Sequence, residues 1–218
     1  VMLAFPQKNL NLMVKAIRTL PIHLTAVTMP HKEAVLKFLD HIDKAAREIG
    51  AVNTIINKNG TLYGFNTDVT GIAEALKETP IKNKKVLLIG AGGAAKPVAY
   101  YINQKGGKLI CLNRTMSKAK ALVRRFGGRA ITENHLKNEK IDIIINAIPI
   151  GSFPNKNQSP IKSSILNSTH TVFDIIYNPQ ETKLIKTARA IGAKTISGDI
   201  MFKAQAIAQI NIFKQPWA

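Results

Sequence analysis

Apolar and polar positions alternate in two rhythms along the chain, and the changes of rhythm mark its elements. Leu10, Met13, Val14 and Ile17 fall at helical spacing, which predicts an amphipathic helix over residues 10–20. Residues 22–29 alternate and are rich in β-branched side chains, so they read as a strand that Pro30 ends. Residues 31–39 and 43–49 return to helical spacing. Residues 51–57 are strand-like, Asn59-Gly60 is a turn signal, and 61–66 continue as the second arm of a hairpin. A further helix over 70–77 stops before Pro80.

Beyond residue 80 the pattern changes to short, mainly apolar runs of the kind that fill a parallel sheet covered on both faces. Val86-Leu87-Leu88-Ile89 is the first; residues 109–112, 141–147, 172–176 and 195–196 follow. Helical stretches to about Gln104 and over 117–126 lie between the early runs. Strands alternating with helices predict βαβ units. No fixed-period repeat or low-complexity segment interrupts them. The expected class is therefore α/β in two domains, residues 1–70 and a Rossmann-type parallel-sheet domain over 71–197. Ser197-Gly198 reads as a second junction, leading into a last helix over 200–213 within the segment 198–218.

Composition narrows the function classes. Of 218 residues 45% are hydrophobic and mean hydropathy is +0.00, enough apolar side chain for a core, which excludes disorder as the whole answer. Aromatic residues are only 6%, so aliphatic packing dominates. The single cysteine, Cys111, rules out a disulfide framework and a Cys-rich zinc site and suits a reducing, cytoplasmic compartment. No metal site is expected. No apolar run approaches the ~18–20 residues a membrane span needs. The first residues lack the pattern of a signal peptide, and Val1 does not read as a natural start. Charge is lopsided: 31 basic against 13 acidic residues, net +18, with 21 basic against 7 acidic in residues 71–197. Three readings fit such a block: solvated lysines without a dedicated partner, a nucleic-acid surface, or a phosphate-bearing ligand. Nucleic acid would want aromatic residues interleaved with the cations, and Tyr100, Tyr101, Phe126, Phe153, Phe173 and Tyr177 form no such pattern, so no nucleic-acid partner is expected.

Two segments carry nucleotide chemistry. Gly90-Ala91-Gly92-Gly93-Ala94-Ala95 fits G-x-G-x-x-G/A after a predicted strand and at the head of a predicted helix. The first glycine suits a tight turn, the second lets a pyrophosphate approach the backbone, and the helix N-terminus offers N–H groups and its positive dipole end. At the next strand end an NAD site would place a carboxylate for the ribose 2′-hydroxyl. Here stand Asn113-Arg114-Thr115, with Lys118 one helical turn later. The Arg114 fork and the Lys118 charge match a 2′-phosphate and favour NADP; two surface cations in a basic block are the alternative. Two further segments carry proton chemistry. Thr28-Met29-Pro30-His31-Lys32 and Asn66-Thr67-Asp68 each follow a strand, with Gly50-Ala51-Val52-Asn53-Thr54 between them. A lysine and an aspartate brought together can move a substrate proton. His31 is a second candidate base, although a lone histidine is more often structural.

Together these segments resemble the shikimate dehydrogenase family, including the shikimate half of the plant dehydroquinase–shikimate dehydrogenases. Val27 to Lys32 resembles its V-T-x-P-x-K, Gly50 to Thr54 its G-A-V-N-T, and Asn66 to Asp68 its N-T-D. Gly90 to Ala94 resembles G-A-G-G-A, and Asn113 to Thr115 N-R-T. Asp174-Ile175-Ile176-Tyr177-Asn178-Pro179 resembles D-x-x-Y-x-P, and Gly198 to Gln205 resembles G-x-x-M-x-x-x-Q. The resemblance implies an NADP-dependent reduction of 3-dehydroshikimate to shikimate in aromatic amino-acid biosynthesis. It implies a substrate domain over 1–70, an NADP domain over 71–197, and a last helix returning to the substrate domain. It makes Lys32 and Asp68 the catalytic pair and puts Thr28, Asn53, Asp68, Tyr177 and Gln205 on the substrate. Gly90, Ala91, Gly92, Gly93, Ala94, Asn113, Arg114, Thr115 and Lys118 would hold the cofactor, with Asn146, Ala147, Ile148, Ile175, Gly198 and Met201 along its nicotinamide side.

Three departures qualify it. The family's opening strand and S-x-S pair, which hold the substrate carboxylate, have no counterpart here. Ala26 stands where Asn or Ser is usual, and Ile148 where Thr is common. The chain as written is thus expected to bind NADP but to grip its substrate incompletely, unless His23 or Gln7 holds the carboxylate. An NAD-using quinate/shikimate dehydrogenase and a non-catalytic dinucleotide or nucleic-acid binder are the alternatives. Oligomeric state is left open.

Overall fold

A computed structural model describes residue 6 and residues 8–215; Gln7 lies outside the described residues. The chain divides into two compact units, Val1–Thr67 with Gln209–Ala218, and Asp68–Ala208.

The first unit is built on helix α1 (Leu10–Thr19), strands β1 (Leu24–Ala26) and β2 (His41–Ile42), helix α2 (Lys44–Ile49) and the hairpin β3 (Thr54–Lys58) and β4 (Thr61–Phe65). Its sheet runs β1-β3-β4-β2, antiparallel except where β2 lies parallel to β4. Asn9 caps α1 by accepting from the Leu12 N–H, and Asp43 caps α2 by accepting from Ala45 and Ala46. Val14, Ile17, Val35, Ala46, Val52, Ile55 and Leu62 make one core. Two expectations shrink. The strand over 22–29 is three residues long, Leu24–Ala26, with in-register bonds beyond each end from Asn57 N–H to the His23 carbonyl and from Val27 N–H to the Asn53 carbonyl. The helix over 31–39 is a short 3-10 turn, Ala34–Phe38, and Asp40, two residues beyond it, is drawn to β4 by bonds to Leu62 in both directions.

The second unit alternates strand and helix: α3 (Asp68–Ala75), β5 (Lys85–Ile89), α4 (Ala95–Gln104), β6 (Lys108–Leu112), α5 (Met116–Phe126), β7 (Arg129–Ile131), β8 (Ile143–Asn146), β9 (Thr171–Asp174), α6 (Lys183–Ala190) and β10 (Lys194–Ser197). The last helix, α7 (Gly198–Lys214), begins here and contributes its residues from Gln209 onward to the first unit. All six strands are parallel, in the order β10-β9-β8-β5-β6-β7. Alternate residues of each strand feed opposite faces. Val86, Leu88, Leu109, Cys111, Ile143, Ile145 and Phe173 pack with α3, α4 and α5; Leu87, Ile89, Ile110, Ile144 and Val172 pack with α6 and Leu136. Order reverses at β5: β6 and β7 lie on one side of it, and β8, β9 and β10 on the other. In an open parallel sheet that switch point, at the carboxyl ends of the strands, is where ligands bind. Strand β7 and helix α6 are additions to the elements the sequence suggests.

Candidate functional site

In the first unit, backbone bonds stitch the segment Val27–Lys32 to Gly50–Thr54 and close a turn within it. Val27 N–H donates to the Asn53 carbonyl (2.7 Å), Val52 N–H to the Lys32 carbonyl (2.8 Å), and His31 N–H to the Thr28 carbonyl (2.9 Å). Thr28 is exposed and Lys32 half-buried. Asn53 is buried and its amide is fixed: Oδ1 accepts from Thr67 N–H (2.8 Å) and the Thr54 hydroxyl (2.8 Å), while Nδ2 donates to the Thr67 hydroxyl (3.0 Å). Gln209 Nε2 donates to the Thr54 hydroxyl (3.0 Å) and closes the network. His23 and Ala26 are exposed.

In the second unit, Asp68 is buried at the first position of α3. One turn on, Gly71 lies so close to α7 that a Cβ would meet the Met201 Cγ at 2.9 Å and the Gln205 Cβ at 3.2 Å. Its lack of a side chain therefore brings Met201 and Gln205 against the helix that Asp68 opens. Lys32 and Asn53 belong to one unit; Asp68, Tyr177, Gln205 and every nucleotide candidate belong to the other.

The glycine turn joins β5 to α4 at the switch point. Gly90 has φ +118°, a backbone that L side chains rarely adopt, and a Cβ there would meet Ile148 Cγ2 at 2.8 Å and the Ala147 carbonyl at 3.1 Å. Gly92 is the opposite case: a Cβ would meet nothing within 4 Å, so the space before it is open. The first N–H groups of α4 turn back onto the glycine turn: Ala95 and Lys96 N–H both donate to the Gly92 carbonyl (2.9 and 3.3 Å). Beneath the turn the Cys111 thiol touches the Gly90 carbonyl (3.6 Å), and burial pushes its pKa up to about 11, so it stays protonated and inert. At the end of β6, Asn113 Nδ2 donates to the Thr115 carbonyl (2.9 Å), leaving Arg114, Thr115 and Lys118 exposed at the head of α5.

At the ends of β8 and β9, Asn146 and Asp174 are fully buried side by side, joined by Asn146 Nδ2 donating to Asp174 Oδ1 (3.0 Å). Ile175 N–H donates to the Asn146 carbonyl (3.1 Å). Burial pushes the Asp174 carboxyl up to about 6 against three hydrogen bonds that pull it down. Ala147 is buried, Ile148 and Ile175 are half-buried, Gly198 is buried, and the exposed Tyr177 ring stacks on Phe202 at 4.3 Å. Sequence reasoning gives no role to Thr67, Asp174, Thr182 or Gln209. Asp174 at least stands in a quoted motif; for Gln209, on an apolar helix, no signal marks it. A surface cavity of about 610 Å³ beside His170, Lys137 and Lys140 lies at the other end of the strands and shares no residue with this set. Among the described residues no helix is long and apolar enough to cross a membrane.

Residues 1–55 match the profile of the shikimate dehydrogenase substrate binding domain, and residues 72–181 that of shikimate / quinate 5-dehydrogenase. A shikimate dehydrogenase (NADP(+)) of Methanosphaera stadtmanae is 40% identical over 94% of this chain and 77% of its own length. The chain belongs to the shikimate dehydrogenase family. Its fold is that of the family's solved members. A shikimate dehydrogenase in complex with NADP+ superposes with a TM-score of 0.89 at 37% identity, covering 96% of this chain and 77% of the other. The Thermus thermophilus shikimate 5-dehydrogenase in complex with NADP(H) and shikimate gives 0.86 at 32% identity, covering 96% and 79%.

Proposed function

We propose that this protein interconverts 3-dehydroshikimate and shikimate with NADP, within aromatic amino-acid biosynthesis in the cytoplasm. The observation that carries this reading is the glycine turn at the switch strand of a Rossmann-ordered sheet, followed at the next strand end by Arg114 and Lys118 instead of a carboxylate, in a chain of this family. The residues present fit a phosphorylated dinucleotide: Gly90, Ala91, Gly92, Gly93 and Ala94 leave open space before Gly92 for a pyrophosphate, and exposed Arg114 and Lys118, with Asn113 and Thr115, suit a 2′-phosphate. Asn146, Ala147, Ile148, Ile175, Gly198 and Met201 would line its nicotinamide end. When bound, NADP supplies the hydride acceptor or donor.

The chain's own residues do the rest. Lys32 and Asp68 take the proton of the reacting hydroxyl in oxidation and return it in reduction, a general acid–base role. Thr28, Asn53, Tyr177 and Gln205 contact the substrate. Asn53 suits that task because Thr67 and Thr54 hold its amide in one orientation. The absence of a carboxylate after β6 weighs against an NAD-using quinate dehydrogenase, since Arg114 has no ribose 2′-hydroxyl acceptor beside it. The test is the absorbance of NAD(P)H formed from shikimate and from quinate, with each cofactor in turn. Preference for shikimate and NADP is expected; equal rates with NAD, or no turnover of shikimate where quinate is oxidised, overturns the reading.

A further inference from the structure

A dinucleotide centred on the glycine turn has two ends to place. Arg114 and Lys118 follow β6, on one side of β5, so the adenosine half runs over β6. The other half has β8 and β9 to run over. The loops leaving those two strands, 147–151 and 175–181, share one buried anchor. Asp174 Oδ1 accepts from Asn146 Nδ2 at the end of β8 (3.0 Å) and from the Ile176 N–H at the start of the second loop (3.1 Å). Asp174 Oδ2 accepts from the Thr182 hydroxyl at the end of that loop (2.7 Å). The bonds continue outward: Asn146 Oδ1 accepts from Ile148 N–H in the first loop (3.2 Å), and Thr182 Oγ1 accepts from Ile185 N–H, capping α6 (3.3 Å). Asn146, Asp174 and Thr182 are all buried, and the first loop lies directly against the glycine turn through Ile148.

Burying a carboxylate against three neutral donors is an expensive way to obtain stability alone. Its use lies in being an acceptor only, with two oxygens and no donor, so the three converging donors have one arrangement that satisfies them. We propose that Asp174 is a positioning residue for the nicotinamide half of the cofactor, holding loops 147–151 and 175–181 in the shape that receives it; this rests on the NADP reading above. It touches neither reacting atoms nor phosphates, and acts through Asn146, Ile176 and Thr182.

The test is binding calorimetry on the full chain with two ligands, NADP and 2′-phospho-ADP-ribose, which keeps the adenosine, 2′-phosphate and pyrophosphate but lacks the nicotinamide. Asp174→Asn places an amide donor among donors, and Thr182→Val removes one donor while leaving the carboxylate. Each is expected to weaken NADP by about tenfold or more, the scale of a lost hydrogen bond to a charged group, and to leave the fragment within about twofold. Thr182→Ser, which keeps the hydroxyl, is expected to restore NADP affinity. Cooperative thermal melts establish that each variant folds, and if Asp174→Asn does not, the Thr182 pair carries the comparison. Equal losses for NADP and the fragment, or no loss for NADP, overturns the proposal. A wild-type chain that binds neither ligand overturns the NADP reading itself, and this proposal with it.

Discussion

Lys32, half-buried, and Arg114, exposed, are two cations in a strongly basic chain, and their proposed tasks separate them sharply. Lys32→Ala should lower kcat by ~10²–10⁴-fold, the usual loss for a general acid–base group, while NADP affinity by calorimetry stays unchanged. A loss below ~10-fold would remove Lys32 from the catalytic pair. Arg114→Ala should weaken NADP by roughly 1.5–3 kcal/mol and leave NAD almost untouched; equal losses would mean that Arg114 does not meet the 2′-phosphate. Asp174 adds a pH signature. Its folded pKa, about 6, lies above the ordinary 3.8, so between those values the folded chain binds the proton more tightly than the unfolded chain. Its contribution to stability is therefore full below about pH 4 and is lost as pH rises through 6, by on the order of 3 kcal/mol. Asp174→Asn cannot titrate. The wild-type minus variant difference in unfolding free energy, from urea titrations, should fall by about that amount between pH 4 and 7. A flat difference would mean that Asp174 ionises as easily folded as unfolded. Lys32 and Arg114 can be picked out in the sequence because their chemistry and their neighbours in the chain agree. Asp174 cannot, because its donors come from residues 146, 176 and 182 and meet only in three dimensions.

Among elements, the glycine turn between β5 and α4 offers a paired experiment. At Gly90 a methyl group meets both a positive φ and Ile148, so Gly90→Ala should cost stability, ~1–3 kcal/mol from the backbone alone, and lower the melting temperature. At Gly92 a methyl meets no protein atom, so Gly92→Ala should melt as the wild type does. It should nevertheless weaken NADP by ~10-fold or more, because the side chain occupies the space where a pyrophosphate comes close to the backbone. Unchanged NADP affinity in Gly92→Ala would mean the phosphates approach elsewhere. This turn and its flanking strand are legible in sequence because Val86 to Ile89 is a run that only a two-sided buried strand needs. Strand β7 is not: Arg129-Ala130-Ile131 is too short to show an alternation, and it exists only by pairing with β6. Helix α6 hides for another reason. Lys183, Lys186 and Arg189 dominate its composition, and only Leu184, Ile185 and Ala188 turn inward. The 3-10 turn at Ala34–Phe38 reads as a helix by its spacing; after one fourth-residue bond, Val35 N–H to the His31 carbonyl, it tightens to third-residue bonds and stops where Asp40 is held by β4.

For the whole molecule, the sequence carries a net +18, and most of it, 21 basic against 7 acidic residues, lies in 71–197, the part that holds all the nucleotide candidates but Gly198 and Met201. Such a field draws any polyanion, and it raises the encounter rate of a negatively charged cofactor. The two effects differ in how they respond to salt. Diffuse attraction between a basic surface and duplex DNA depends on counterion release, and falls by orders of magnitude between ~50 and ~200 mM salt when several phosphates are contacted. A dinucleotide in a built site is held mainly by short, partly shielded contacts: the glycine-turn backbone, the head of α4 and the Arg114 fork. At physiological ionic strength the Debye length is ~8 Å, so those contacts survive while the distant lysines are screened. NADP affinity should therefore fall only a few-fold over the same salt range in which duplex DNA retention collapses. Fluorescence titrations with both ligands at two salt concentrations measure this directly. DNA affinity that persists at physiological salt would show that the basic surface has a dedicated nucleic-acid partner, which neither its aromatic spacing nor its fold suggests. NADP affinity that collapses in parallel with DNA would mean that the Arg114–Lys118 pair contributes charge without a defined contact.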